Sequence, residues 1–215
     1  MPGERTVTTR LPAAERRGQL LDVALDVFGT AGFHHASIND IAEAAGVTKP
    51  VLYQHFPSKR ALYLELLRDV GGRLRDEVGK AVATADGPRQ QVEAGFAAYF
   101  RWVTHHQGGF LVLFAGETRR DPEFVAEALK VETDVADTIA SLIVVDGLDA
   151  ERRRLLAYGI VGMAETTCRH WLADDLELAP DELAGQVAAL AWAGLRGQRP
   201  RAEADADGRD PNELR

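Results

Sequence analysis

The chain has 215 residues, 46% hydrophobic and 27% charged, which excludes wholesale disorder, and at this length two domains are expected. A formal net charge of −8 and a single cysteine, Cys168, exclude a generally basic nucleic-acid coat and an internal disulfide framework. The longest apolar runs, such as 110–115, fall far short of the roughly 18 residues of a membrane span, and the N-terminus holds no signal-peptide core, so a soluble cytoplasmic protein is expected.

Residues 1–11 and 198–215 are polar and punctuated by Pro and Gly, and read as disordered arms. Between them the chain reads as helix after helix. Over 13–31, Leu20, Leu21, Ala24, Val27 and Phe28 recur at helical spacing, and Gly32 ends the run. Ser37 caps a short helix carrying Ile38, Ile41, Ala42 and Ala45, which Gly46 closes. Thr48 caps a third helix that stops at Phe56-Pro57, and Ser58 caps a long fourth over 59–83, which Gly71-Gly72 is expected to interrupt.

Pro88 opens a fifth helix with Val92, Phe96, Tyr99, Phe100 and Val103, running to a break over 105–109. A short apolar helix over 110–117 follows. Others are read over 122–143, over 150–173 behind the cap Asp149, and over 180–196. No alternation of period two survives, so the fold class is all-α with about nine helices. Residues 12–58 are read as one domain and 59–197 as a second.

The segment 37–56 carries the functional signal. Two short capped helices joined by a tight turn at Gly46 form a helix-turn-helix layout, whose second helix enters a DNA major groove. At about 100° per residue, Leu52 and Phe56 share the core side, while Pro50, Val51 and Gln54 point toward a groove. Tyr53 and His55 lie on the flanks, within reach of phosphate oxygens. Lys49 suits a guanine edge or a phosphate, Gln54 an adenine, and Pro50 a thymine methyl. Lys59, at the start of the fourth helix, offers a further anion site. Charge agrees with this placement: residues 1–60 carry 7 Lys and Arg against 6 Asp and Glu, while 61–215 carry 18 against 27. The acidic body would face away from DNA.

On these residues the chain resembles the TetR family of transcriptional regulators. Arg17, Leu20-Leu21, Ala24, Phe28, Gly32-Phe33, the run from Ile38 to Gly46 and the stretch from Val47 to Lys59 carry the likeness. The resemblance implies that Ser37, Thr48, Tyr53, His55 and Lys59 contact phosphates, while Lys49, Pro50 and Gln54 face bases. At Pro50 relatives often carry Gly or Ala, and the proline removes a backbone N–H. The resemblance also implies a helical C-terminal domain that binds a small molecule and dimerises through its last two helices. Two stripes fit such a four-helix seam, one of Leu183, Val187, Leu190, Ala191 and Leu195, the other of Leu156, Ile160, Met163 and Ala164, with packing inside one subunit as the competing reading of both.

A narrower similarity joins Arg10–Leu21, Lys49–Phe56 and Gly162-Met163 with Cys168–Leu172 to the acyl-CoA-responsive regulators of fatty-acid synthesis within that family. It implies a long acyl chain held by Phe96, Tyr99, Phe100, Val103, Phe110, Leu113, Phe114, Met163 and Trp171. Plain core packing is the competing reading of the same aromatic stripe. Glu117, Glu165, Thr166 and His170 are candidates to orient a headgroup.

The expected protein is therefore a homodimeric, ligand-responsive regulator of a pseudo-palindromic operator, a repressor in the family's usual sense, with an acyl-CoA-dependent activator as alternative. A ligand would shift the helix over 59–83 and so change the spacing of the two reading heads. Enzyme chemistry and a helical module that never meets DNA are the competing classes. His105-His106 with Glu117 and Asp121 lacks metal-ligand spacing, and Cys168 near His170 reads as a buried small residue. No GxSxG, Walker or GxGxxG motif occurs, so no catalytic residue, metal or cofactor is expected.

Overall fold

The computed structural model describes residues 12–114, 120–145, 147–174 and 176–198. Both arms, apart from Gln198, and Glu117 lie outside these residues. Among the described residues every regular element is a helix. They are α1 (Ala13–His35), α2 (Ile38–Ala44), α3 (Lys49–His55), α4 (Lys59–Ala83), α5 (Pro88–His105), α6 (Gln107–Phe114), α7 (Pro122–Leu142), α8 (Ala150–Ala173) and α9 (Pro180–Arg196).

The chain forms two compact units. Of the described residues, one takes in those up to Val70 together with those within Gln107–Glu127, and the other takes in Gly71–His106 and those from Ala128 on. In the first unit α2 packs on α1 and α3, and α6 lies along α1. Leu20, Leu21, Ala24 and Phe28 of α1 are buried with Ile38, Ile41 and Ala42 of α2, Leu52 and Phe56, and Leu62, Leu66 and Leu67 of α4. The α1–α6 crossing depends on glycine at position 29: a Cβ there would stand 2.8 Å from Cα of Gly108, whereas a Cβ on Gly108 would come no closer than 3.7 Å. Tyr63 adds a polar tie, its hydroxyl donating to the Val112 carbonyl at 3.3 Å.

In the second unit α5 lies along α9 and also packs on α8. Leu183, Ala184, Val187, Ala188 and Ala191 form the buried stripe of α9, and Phe96, Ala98, Phe100, Trp102 and Val103 that of α5. A second cluster of Ala136, Ile143 and Ala157 gathers Leu156, Ile160, Val161 and Leu195. Three of the five residues read as a dimer seam on α9, Leu183, Val187 and Ala191, are thus core of this unit, with Leu195 half-buried beside the second cluster. The 3.6-residue period reports that a helix has an apolar face, and here that face meets the protein's own neighbours.

Helix α4 runs unbroken through Gly71-Gly72, contrary to expectation. A Cβ at Gly71 would come within 2.7 Å of Cγ1 of Val131, and closer still to Cγ2, so this glycine serves close approach of a neighbouring side chain. The sixth helix begins at Gln107, inside the expected break, because His106 alone leaves helical geometry there (φ −133°, ψ 49°).

Candidate nucleic-acid interface

The short α2 is built from its ends. Its cap is reciprocal: the Asp40 N–H donates to the Ser37 hydroxyl at 3.2 Å, and the Ser37 N–H donates to the Asp40 carboxylate at 2.8 Å. At the other end Gly46 takes a positive φ of 62°, and the Val47 N–H returns to the Ala42 carbonyl at 2.9 Å. That closure reverses the chain into α3 within three residues. At such a φ any β-carbon is strained, so the turn is the sequence signature of the motif.

Thr48 stands at the N-cap of α3 in extended geometry, but its hydroxyl makes no capping bond, contrary to expectation. Pro50 supplies no N–H, and the Val51 N–H is engaged by the carbonyl of Thr48 itself at 2.9 Å. The threonine side chain is left exposed beside Lys49.

Leu52 is the one buried residue of α3, fully so, with Phe56 buried just beyond. Burial of Leu52 contributes about 1.5–3 kcal/mol and fixes which way the helix faces. Lys49 and Tyr53, and beside them Pro50 and Gln54, then form two exposed rows one turn apart. His55 and Ser37 are half-buried at the flanks. Lys59 is half-buried too, its ammonium over the Phe33 ring at 4.6 Å and donating to the His34 carbonyl at 3.3 Å. Six of the eight predicted residues thus lie on α3 or at its cap, Lys59 opens α4 against Phe33 and His34, and Ser37 caps α2.

The sequence points to Arg17 only through the family likeness, yet it holds α3 in place. Its guanidinium donates to the His55 carbonyl at 2.6 Å, pairs with both oxygens of Glu65 on α4, and lies 4.4 Å from the centre of the Phe56 ring. One side chain of α1 thereby fastens the end of α3 to α4. No local pattern announces this, because the partners lie 38 and 48 residues away.

A second arginine ties α4 to the start of α7. Arg60 forms a two-bond pair with Asp121 at 2.7 Å each, a third bond to Glu123 at 2.6 Å, and lies over Phe124 at 4.8 Å. The Arg60 bonds hold the Asp121 carboxyl down at about 2. Phe124 in turn meets Phe33 and Tyr63 at 4.9 and 4.7 Å between ring centres.

The candidate effector residues divide between the units. Phe96, Tyr99, Phe100, Val103, Met163 and Trp171 belong to the second, where Phe100 meets Phe96 at 6.5 Å, Tyr99 at 5.5 Å and Trp171 at 6.2 Å. Phe110, Leu113 and Phe114 belong to the first, with Phe110 and Phe114 5.1 Å apart. His105 and His106 bond back to the Arg101 and Trp102 carbonyls of their own helix, and no metal-holding cluster occurs among the described residues. Of the headgroup candidates, Glu165 is buried and paired with Arg169, His170 faces Asp174 at 3.1 Å, and Thr166 is exposed. No helix among the described residues is long and apolar enough to cross a membrane.

Residues 20–66 match the family described as bacterial regulatory proteins, tetR family, and residues 88–194 match the tetracyclin repressor-like C-terminal domain. The chain is 39% identical to the HTH-type transcriptional activator FasR of Mycolicibacterium smegmatis, over 86% of this chain and 85% of that one. It is 32% identical to the HTH-type transcriptional repressor KstR2 of Mycobacterium tuberculosis, over 49% of this chain and 52% of that one. Among solved structures, the regulator FadR of Bacillus subtilis, in complex with stearoyl-CoA, shares the fold with a TM-score of 0.70 at 17% identity, over 82% of this chain and 98% of that one. The chain belongs to the TetR family of DNA-binding transcriptional regulators, which are not enzymes.

Proposed function

We propose that this regulator acts in the cytoplasm as a homodimer that sets one α3 into each of two successive major grooves of a pseudo-palindromic operator, and that a hydrophobic acyl compound is its effector. The carrying observation is the exposed face of α3: Thr48, Lys49, Pro50, Tyr53 and Gln54 stand free on a helix whose direction Leu52 and Arg17 fix. Lys49, Pro50 and Gln54 read bases, while Ser37, Thr48, Tyr53, His55 and Lys59 fix the helix on the phosphates. DNA reading belongs to residues 12–58, and effector binding with dimerisation to 59–197.

For the dimer, the support is what α8 and α9 leave uncovered. Leu155 and Leu190 are 72% and 66% exposed, and a Cβ at Gly159, Gly162, Gly185 or Gly194 would meet nothing. Two helices with bare leucines and open glycines suit close packing against a second copy. For the effector, the support is the ring cluster of Phe96, Tyr99, Phe100 and Trp171 in the second unit, the acyl-CoA-regulator likeness of the sequence, and the stearoyl-CoA complex of a protein of the same fold.

The activator FasR, similar over most of the chain, favours activation by the bound effector. KstR2, a repressor similar over half of it, carries the second reading. In either case the effector acts by preferring one spacing of the two reading heads, with α4, which begins in the first unit and ends in the second, as the moving part.

Fluorescence anisotropy with DNA from upstream of this gene and its neighbours tests the reading, at two salt concentrations and with or without palmitoyl-CoA. Specific binding that strengthens with palmitoyl-CoA supports the activator, and binding that weakens supports the repressor. Binding indifferent to it removes the acyl effector and leaves the regulator. Leu155→Glu with Leu190→Glu should give monomers in multi-angle light scattering and lose specific binding. A dimer that persists would overturn the assignment of this face.

A further inference from the structure

Tyr99 is the polar residue of the ring cluster in the second unit. Its hydroxyl oxygen is buried and has no hydrogen-bond partner among the described residues. Leaving a buried hydroxyl unpaired carries a free-energy penalty, and phenylalanine would fill the same space without one. The residues that act on it electrostatically, Cys168, Glu165 and Arg169, all lie on α8. Glu165 and Arg169 are joined to each other. The Trp171 indole donates to the carbonyls of Leu176 and Leu178, both at 3.2 Å. The Cys168 thiol is fully buried and only weakly polar, and the Phe100 ring stands edge-on to that of Tyr99 at 5.5 Å.

Its chemistry selects the partner. Burial, with the nearby Cys168 and Glu165, raises the Tyr99 phenol, so it remains an O–H donor at any physiological pH. Burial also pushes the Cys168 thiol up to about 12, so no thiolate competes as acceptor. A bridging water would have to be held by Glu165 or Arg169, which are already paired with each other, besides the hydroxyl. A missing acceptor carried on an apolar body fits the site better: an oxygen on a hydrocarbon chain.

We propose that the Tyr99 hydroxyl donates to the carbonyl oxygen of the effector, a carboxylic acid or its thioester, whose chain lies along Phe96, Phe100 and Trp171. The proposal rests on the acyl reading above and adds the atom that recognises the head of the chain. It also explains why an unpaired hydroxyl is retained in an otherwise apolar cluster, since recognition by a buried donor discriminates steeply against a ligand lacking its acceptor.

The test uses full-length protein, Tyr99→Phe, and three ligands: palmitoyl-CoA, palmitate, and S-hexadecyl-CoA, a thioether that keeps the chain and CoA but lacks the carbonyl. Calorimetry should show Tyr99→Phe binding palmitoyl-CoA and palmitate roughly tenfold more weakly, with the thioether unchanged. Palmitate binding more tightly than palmitoyl-CoA would identify the free acid as the source of the carbonyl, and the reverse order the thioester. Without ligand, Tyr99→Phe should melt at the same or a higher temperature, because it removes an unpaired group. A lower melting temperature, or equal weakening toward all three ligands, would assign the hydroxyl a structural role and overturn the proposal. Acyl binding that ignores Tyr99→Phe overturns it and spares the acyl reading, whereas failure of the wild type to bind any of the three overturns both.

Discussion

The two units of this chain are held together differently. In the first, cations on α1 and α4 carry directional ties: Arg17 joins a ring, a carboxylate and a backbone carbonyl, Arg60 a ring and two carboxylates, and Lys59 a ring and a carbonyl. In the second, buried contacts between α5 and α9 are apolar and rich in alanine, the pairs Arg75–Asp134, Arg101–Asp181 and Arg154–Asp137 join exposed side chains, and the part-buried pair Glu165–Arg169 stays within α8. Directional bonds fix the angle of a helix, whereas apolar contact is non-directional and tolerates repacking. A reading head needs the first property. A body that takes up a ligand benefits from the second.

The largest expected effect comes from overfilling a contact that has no slack. Gly71→Ala drives a methyl group into Val131, and should cost about 1–3 kcal/mol in thermal unfolding even after the helix-propensity gain of alanine. Pairing it with Val131→Ala should recover much of that loss, a coupling that independent sites would not show. In the first unit, Gly29→Ala should lower stability by a similar amount, with no such rescue, because its obstacle is the Gly108 backbone. Equal rescue at both sites would remove the distinction between a side-chain contact and a backbone crossing.

Smaller in stability but larger in function is Arg17→Met. The variant keeps a long apolar stem over Phe56 and loses the ties to His55 and Glu65. We expect about 1–2 kcal/mol of stability, since the pair is partly exposed, and roughly tenfold weaker specific DNA binding as the end of α3 loosens. Wild-type DNA affinity in a folded Arg17→Met protein would show that Leu52 alone aims the helix. Lys49→Ala, by contrast, should leave the fold unchanged. If Lys49 meets a phosphate, the salt slope of binding falls by about 1, and if it meets a guanine, discrimination at one base pair relaxes instead.

The same contrast explains what the sequence made legible. The reading head announces itself through local chemistry: the Ser37–Asp40 cap, the positive φ of Gly46 and the Ser58 cap each act within four residues, and short-range signals survive in a linear string. The α9 stripe was equally visible as a pattern, but periodicity says that a face is apolar and not which surface covers it. Leu183 therefore read like a dimer residue while being core, and Leu190, seven residues on, is 66% exposed. Gly71 read as a break for the same reason, since only the approach of Val131, sixty residues away, shows what its missing side chain is for. Arg17 and the unpaired hydroxyl of Tyr99 lie wholly beyond local pattern.

The smallest effect is on pH dependence, and it separates the ties of the first unit from the apolar contacts of the second. Asp121 is held near 2 by Arg60, below its ordinary value of 3.8. A carboxyl lowered by folding contributes stability that is fully present above its unfolded value and lost as pH falls through the folded one. The Arg60–Asp121 tie should therefore be intact at neutral pH and fade between about pH 4 and pH 2. Asp121→Asn should flatten acid unfolding in that window while leaving a Trp171 signal in the second unit unmoved. Because the pair is exposed, the change should be small and should shrink further in high salt. An acid transition that is unchanged in Asp121→Asn would mean that the aromatic contacts of Phe124 with Phe33 and Tyr63 hold the start of α7, with the arginine adding orientation alone.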